Sequence, residues 1–167
     1  MIGLLRYLCN TRPDLTFSVG IASRVMERPN VSHLEAVKRI LRYVKGTLGC
    51  GILFPASDTG QKCDLLGFTD SNWCGDRVDR KSMDGCIFMF GRTPISWCSK
   101  KEPVVALSSC EAEYIAASLC AFQSMWLMNL LKGLDINEGE ATTLLVDNFF
   151  GINLAKNPIA HGRSKHI

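Results

Sequence analysis

Three acidic residues occupy positions in the sequence from which they could bind a metal ion. Asp70 directly follows the strand-like run 65–69, and Asp147 directly follows the apolar run 144–146. Because open sheets place their chemistry at strand ends, both side chains are candidates for one site. Glu111 lies in the first turn of a predicted helix, from which its side chain could lean onto the sheet between them. Together, these three residues predict a metal site.

Each of these acids also has an ordinary structural explanation. Asp70 could form a turn with the two polar residues that follow it. Asp147 or Asn148 could cap the next helix. Glu111 completes a capping box that begins at Ser108. Spacing alone leaves the catalytic and the structural interpretations open.

The first fifty residues are predicted to be helical. The segment Thr11–Asp14 marks a helix start that leads to Met26, and Pro29 ends that helix. A capping box at Ser32–Glu35 begins the next one. The apolar positions of this second helix are Leu34, Val37, Ile40, Leu41 and Val44. Its other face carries Lys38, Arg39, Arg42 and Lys45. These charges predict either a solvated surface or a surface that binds along the phosphates of a nucleic-acid backbone.

The remainder of the chain alternates between strand and helix patterns. Strands are predicted at 51–54, 63–68, 86–90, 95–98 and 142–146, with a four-residue connection at 91–94. A long helix from Ser108 to Lys132 has its predicted core face at Tyr114, Ala117, Ala121, Met125 and Met128, and Trp126 is also assigned to the core. A short helix follows at 151–156. We therefore predict an α/β fold with a mixed sheet, divided into segments 1–50 and 51–167.

Composition and charge narrow the class of protein. Hydrophobic residues make up 47% of the chain and charged residues 21%, which is typical of a globular domain. No apolar run approaches the ~20 residues of a membrane helix, so we expect an intracellular protein with no membrane partner. The eight cysteines contain no C-x-x-C pair and are predicted to be reduced, buried side chains. The net charge of +3 does not identify a partner by itself.

Several blocks of this sequence resemble copia-type retrotransposon Pol polyproteins, from the end of the reverse transcriptase through the ribonuclease H domain. The catalytic-domain blocks are Phe68–Asp76, Asp79–Ser82, Pro94–Lys101 and Val105–Tyr114. The upstream blocks are Thr11–Asp14 and Arg39–Thr47, and the closing blocks are Asp147–Asn148, Asn157–Pro158 and His161–Ile167. These blocks occur in the family's order and cover essentially the whole chain.

The resemblance implies a ribonuclease H-like fold preceded by a helical tail of the reverse transcriptase. It assigns Asp70, Glu111 and Asp147 to three of the family's four metal-binding carboxylates, and the fourth would follow Ile167. The implied reaction is hydrolysis of the RNA strand of an RNA–DNA hybrid by two Mg²⁺ ions, for which Mn²⁺ can substitute. On this hypothesis Asp70 bridges the ions, and the other two residues flank it.

The implied substrate suggests which other residues contact it. Short polar side chains that could read the 2′-hydroxyls of the RNA strand are Ser71, Asn72, Ser109 and Asn148. Basic side chains that could position the phosphates are Arg77, Arg80, Lys81, Lys100 and Lys101. His161 or His166 could assist proton transfer, or could simply belong to a terminal tail.

Two functional hypotheses remain open at this point. One is a ribonuclease H domain, joined in its polyprotein to the polymerase, whose activity is reduced because the missing carboxylate would weaken the ion beside the leaving group. The other is a non-catalytic retrotransposon remnant that binds nucleic acid or is inert. In either case the expected location is a cytoplasmic particle or the nucleus, and secretion is not expected.

Overall fold

The computed structural model of the chain describes residues 1–55, 64–136 and 141–157. The chain divides into two compact units, Met1–Phe54 and Pro55–Ile167. The sequence predicted a division after residue 50. The assignment of the two units to a polymerase tail and a ribonuclease H domain stays a prediction.

The first unit is helical, as its sequence predicted. Its elements are α1 (Ile2–Leu8), a 3-10 turn (Pro13–Leu15), α2 (Thr16–Arg24) and α3 (Val31–Gly46). One cluster of buried side chains forms its core, namely Ile2, Leu5, Leu15, Val19, Ala22, Val37 and Ile40. The apolar stripes of the three helices supply this cluster, which is how short helices gain stability in water.

The helix boundaries differ in detail from the prediction. Helix α2 ends at Arg24, and Met26 is exposed rather than on its core face. The capping box of α3 begins at Asn30, not Ser32: the Asn30 side chain accepts a hydrogen bond from the His33 backbone (3.0 Å), and His33 Nδ1 accepts one from the Asn30 N–H (3.2 Å). Asparagine is an equally good N-cap, and here it precedes the helix by one residue.

Arg12 joins the start of the helical unit to the end of α3. It donates two hydrogen bonds to the Asp14 carboxylate (2.9 and 2.7 Å) and two more to the carbonyl and hydroxyl of Thr47 (3.2 and 2.8 Å). Its guanidinium also lies 5.9 Å from the ring centre of Tyr43. This contact with Arg12 holds the pKa of the Asp14 carboxyl below its usual range.

The second unit contains a four-stranded mixed sheet with two helices. The strands are β1 (Leu65–Asn72), β2 (Met83–Phe90), β3 (Thr93–Lys101) and β4 (Thr143–Val146), in the order β3-β2-β1-β4. The first three are antiparallel neighbours, and β4 pairs in parallel with β1. Helix α4 (Ser109–Gly133) connects β3 to β4, and α5 (Phe149–Lys156) follows β4. This arrangement confirms the predicted mixed α/β class.

The predicted strand at 51–54 is wrong. Residues 51–55 have no regular secondary structure, and Leu53 and Phe54 are 77% and 70% exposed. A short apolar run becomes a strand only where another strand can pair with it, and periodicity over four residues cannot reveal that. The β2–β3 connection is also shorter than predicted, since Thr93 and Pro94 already belong to β3. Gly91 adopts a φ of 59° in this turn, which glycine accepts without strain.

Helix α4 begins where the sequence predicted, but it faces the sheet with different residues. Ser108 caps it, accepting a hydrogen bond from the Glu111 N–H at 3.2 Å. Its buried positions are Ala112, Glu113, Ala116, Cys120, Ser124, Leu127 and Leu131. The predicted core residues Met125 and Trp126 are 62% and 58% exposed. Because α4 is apolar on several faces, its hydrophobic pattern does not fix its rotation.

Within the described residues, α4 is the one helix long and apolar enough to cross a membrane by length and composition. The core helix of a soluble protein passes the same test. The α4 residues Cys120, Leu127 and Leu131 pack in one buried cluster with Leu65 of β1 and Phe88 of β2. This packing accounts for the apolar character of that face without a membrane.

Gly67 in β1 permits the close packing of the sheet beneath this cluster. A Cβ atom added there would lie 2.5 Å from Leu144 Cδ2 and 2.8 Å from Phe88 Cε1. We expect Gly67→Ala to lower the free energy of unfolding by about 1–3 kcal/mol, as overpacking does. Gly85→Ala on β2 is the matched control, because its added Cβ would have no neighbour closer than 3.9 Å. Urea unfolding of both variants tests this, and equal midpoints would contradict it.

Candidate functional site

Two neighbouring strands bring Asp70 and Asp147 together. Thr69 of β1 is paired in parallel register with Val146 of β4. Asp70 is the next residue of β1 and Asp147 directly follows β4, so both lie at the same end of this strand pair. Strand β1 continues to Asn72, so Asp70 lies within the strand and not directly after it as predicted. Both residues are exposed. The predicted proximity of these two carboxylates is therefore present in the structure.

The third carboxylate at this edge belongs to Glu113 in the first turns of α4. Its side chain is buried, with 6% of the residue exposed, and its Oε1 accepts a hydrogen bond from the Ser71 N–H at 3.1 Å. Gly151 of α5 lies against it, since a Cβ added to Gly151 would be 3.4 Å from Glu113 Cβ. Strand β1 and helix α5 thus hold this side chain from two sides.

Asp70, Glu113 and Asp147 form a group that could hold a metal ion. Each offers a carboxylate oxygen, and these oxygens all lie within 4.8 Å of one another. Glu113 Oε2 is buried and has no hydrogen-bond partner among the described residues. Burial raises the pKa of Glu113, and repulsion from Asp147 and Asp70 raises it further. A hard divalent cation such as Mg²⁺ or Mn²⁺ would satisfy the free oxygen and neutralise this repulsion.

Glu111, the glutamate predicted for this role, is not part of the group. Its Oε2 accepts a hydrogen bond from the Leu107 N–H at 2.8 Å, so it stabilises the start of α4. Residues two apart point to nearly opposite sides of a helix, because each residue turns it by about 100°. Glu111 was predicted for this role from its place in the first turn of the helix and from the family resemblance. The observed face, with Ala112, Ala116 and Cys120, carries Glu113 instead.

The polar residues predicted to read the RNA strand lie around this group in different environments. Ser71 is half-buried, and its hydroxyl is directed at the carboxyls of Asp84 and Glu102. Asn148 caps α5, accepting a hydrogen bond from the Gly151 N–H at 2.9 Å, so the capping alternative holds for this residue. Asn72 and Ser109 are exposed. The two exposed residues are therefore the ones with side chains free to meet a ligand at the surface.

The predicted phosphate-binding residues divide in the same way. Lys101 bridges Asp76 and Asp79 (2.6 and 2.7 Å), which lowers the pKa of both carboxyls and closes the loop after β1. Lys81 donates a hydrogen bond to the Pro103 carbonyl at 2.7 Å. The exposed basic residues are Arg77, Arg80 and Lys100. The structure thus gives Lys101 an internal role that its sequence did not reveal, while His161 and His166 lie outside the described residues.

Comparison with known proteins gives long relatives that are similar to this chain along its whole length. It is 39% identical over 167 residues to the retrovirus-related Pol polyprotein from transposon RE1 of Arabidopsis thaliana, covering 100% of this chain and 11% of that protein. It is 42% identical over 167 residues to the corresponding polyprotein from transposon TNT 1-94 of Nicotiana tabacum, covering 99% and 12%. The chain thus spans only about a tenth of the length of these relatives.

A relative of similar length also matches. The chain is 39% identical over 127 residues to secreted RxLR effector protein 161 of Plasmopara viticola, covering 75% of this chain and 87% of that protein. No protein-family model matches the chain. No solved structure matches it either.

Proposed function

Because the chain belongs to the copia-type retrotransposon Pol polyproteins, we propose that its second unit is a ribonuclease H domain that cleaves the RNA strand of RNA–DNA hybrids. The observation that carries this proposal is the meeting of Asp70, Glu113 and Asp147 at one sheet edge. The order of three antiparallel strands, a helix and a parallel strand is compatible with the ribonuclease H-like fold that the motif blocks imply.

These three carboxylates would hold Mg²⁺, with Mn²⁺ as a substitute. The bound cation would supply a nucleophilic water at neutral pH and would offset the charge that develops at phosphorus. Asp70 and Asp147, which are exposed, would face the substrate. Glu113 would approach from beneath, fixed by the Ser71 N–H. On this proposal two accessible carboxylates and one rigidly held carboxylate would bind the cation together.

The exposed polar and basic residues around the edge would hold the hybrid. Asn72 and Ser109 are exposed and would meet ribose hydroxyls, and the exposed Arg77, Arg80 and Lys100 would meet phosphates. Lys38, Arg39, Arg42 and Lys45 of the first unit are also exposed and could follow a phosphate backbone. The polymerase portion of the same polyprotein is the proposed partner, inside cytoplasmic particles or the nucleus.

The direct test is cleavage of a labelled RNA–DNA hybrid by the purified chain. We expect cleavage with Mg²⁺ or Mn²⁺ and none after chelation, and we expect Asp70→Asn to lower both Mn²⁺ affinity and cleavage. Cleavage that persists in chelator would contradict the proposal. Hybrid binding without cleavage, with Mn²⁺ affinity unchanged in Asp70→Asn, would instead support the non-catalytic remnant.

A further inference from the structure

Two carboxyl groups outside the candidate site are buried against each other. Asp84 lies on β2 and is 6% exposed, and Glu102, which directly follows β3, is 1% exposed. The Ser71 hydroxyl lies 3.3 Å from Asp84 Oδ1 and 3.2 Å from Glu102 Oε1, so the two acids contact the same side chain. Two neighbouring strands and the residue that follows β3 thus contribute to one small polar cluster.

The buried carboxyl oxygens of this cluster outnumber its hydrogen-bond donors. Asp84 Oδ2 and Glu102 Oε2 are buried and have no hydrogen-bond partner within the part of the chain that the structure describes, and the Ser71 hydroxyl has a single proton for the other two oxygens. Burial, together with the neighbouring Glu102 carboxyl, raises the pKa of Asp84 to about 8. Asp84 is therefore largely protonated at neutral pH.

Ser71 connects this pair to the candidate site. Its hydroxyl contacts the two acids, while its backbone N–H donates to Glu113 Oε1 at 3.1 Å. Ser71 also directly follows Asp70 on β1. A displacement of its side chain would therefore move the donor that holds Glu113, and with it the geometry of the three-carboxylate group.

We propose that Asp84 and Glu102 are positioning residues of the candidate site: their carboxyls fix the Ser71 side chain, and Ser71 in turn orients Glu113 beside Asp70 and Asp147. This inference rests on the proposed function. The charged and titratable groups around the pair are Glu113 from α4, Cys98 from β3 and Lys100, the β3 residue opposite Asp84. Glu113 also experiences repulsion from Glu102.

The first test uses the Ser71 amide signal in NMR spectra of the metal-free chain. We expect this signal to shift as the pH rises through about 8, where Asp84 loses its proton. Asp84→Asn should abolish the shift, because the asparagine side chain has no proton to lose in this range. Asp84→Ala should displace the signal at neutral pH, and Asp64→Ala, an exposed control in the same unit, should not.

The second test is Mn²⁺ affinity, measured by calorimetry with Mn²⁺ alone. We expect Asp84→Ala to weaken it about tenfold or more, as is usual when a residue supporting a metal ligand is removed. Asp84→Asn, whose amide oxygen can still accept from the Ser71 hydroxyl, should stay close to the natural chain at pH 7. A Ser71 signal and an Mn²⁺ affinity unchanged in Asp84→Ala would overturn the inference. A chain that fails to cut hybrids but keeps the Ser71 response would overturn only the nuclease proposal.

The raised pKa of Asp84 also predicts a pH dependence of stability. The folded chain retains the Asp84 proton up to about pH 8, whereas the unfolded chain releases it near the ordinary carboxyl value of 3.8. Stability should therefore fall as the pH rises through this window and change little from this source above it. We expect Asp84→Asn to reduce the difference between the free energies of unfolding measured in urea at pH 6 and at pH 8.5. An equal difference in both proteins would contradict the retained Asp84 proton.

Discussion

Glu113→Gln is expected to abolish most metal-dependent hybrid cleavage, while Glu111→Gln leaves it nearly unchanged. Glutamine keeps the shape of Glu113 and can still accept from the Ser71 N–H, but it lacks the charge that would hold a divalent cation. Loss of one group that stabilises transition-state charge typically lowers turnover on the order of 100-fold or more. In Glu111→Gln the amide oxygen can still accept from Leu107, so we expect a change of about twofold or less.

The two glutamates make this a matched comparison. They lie in the first turns of one helix and differ by two positions, so the change in net charge and the change in helix propensity are the same for both variants. Mn²⁺ affinity measured alongside turnover separates metal loss from substrate loss. If Glu111→Gln lost activity and Glu113→Gln kept it, the assignment of the third carboxylate would be reversed.

Phe88→Ala is expected to remove much of the stability of the second unit. Phe88 is fully buried and packs with Leu65, Cys120, Leu127 and Leu131 between the sheet and α4. Truncation of a buried phenylalanine typically costs about 3–5 kcal/mol, against a total stability of about 5–15 kcal/mol. The site should weaken as well, because the helix that carries Glu113 is held to the sheet by this cluster.

The control for Phe88→Ala is the same substitution at Phe122, whose side chain on α4 is exposed. Phe122 is 70% exposed, so its truncation should change stability by no more than about 0.5 kcal/mol. Urea unfolding followed by amide hydrogen exchange in β1 and β2 assigns the transition to this unit. A loss below about 1 kcal/mol in Phe88→Ala would show that the cluster is not closely packed.

Most of the fold could be predicted because local signals and tertiary packing agree. The strand patterns around Leu65–Asn72 and Met83–Phe90 lie near the observed strands, and the Ser108 cap marks the start of α4. Agreement fails at 51–54, where the sequence resembles a strand but no strand pairs with it in the structure. The local sequence pattern indicates which structure a segment can form, whereas the pairing of a strand with a neighbouring strand depends on the rest of the chain.

The candidate site was predictable in two of its three carboxylates. Asp70 lies two residues before the end of β1 and Asp147 directly follows β4, and both positions can be located from the apolar runs that precede them. Glu113 was missed because the rotation of α4 could not be fixed from a helix with apolar residues on several faces. The small residues Ala112 and Ala116 were the available signal, since small side chains permit a helix to lie close to a sheet.

The buried pair of Asp84 and Glu102 can be recognised only from the three-dimensional structure. Nothing in the sequence around Asp84 or Glu102 distinguishes them from ordinary surface carboxylates. Their pairing depends on the register of β2 with β1 and β3, which sets Asp84 opposite both Ser71 and Lys100. Such register is a property of the assembled sheet, so the contact could not be inferred from local sequence.

The parallel pairing of β4 with β1 determines when Asp70, Glu113 and Asp147 can come together during synthesis. Strands β1, β2 and β3 are consecutive hairpin partners and can form as soon as they leave the ribosome, but β4 must wait until α4 has been made. Contacts between distant segments form late because closing long loops is entropically unfavourable. A nascent chain would thus carry Asp70 and Glu113 without their third partner, and cation binding would begin only when β4 docks.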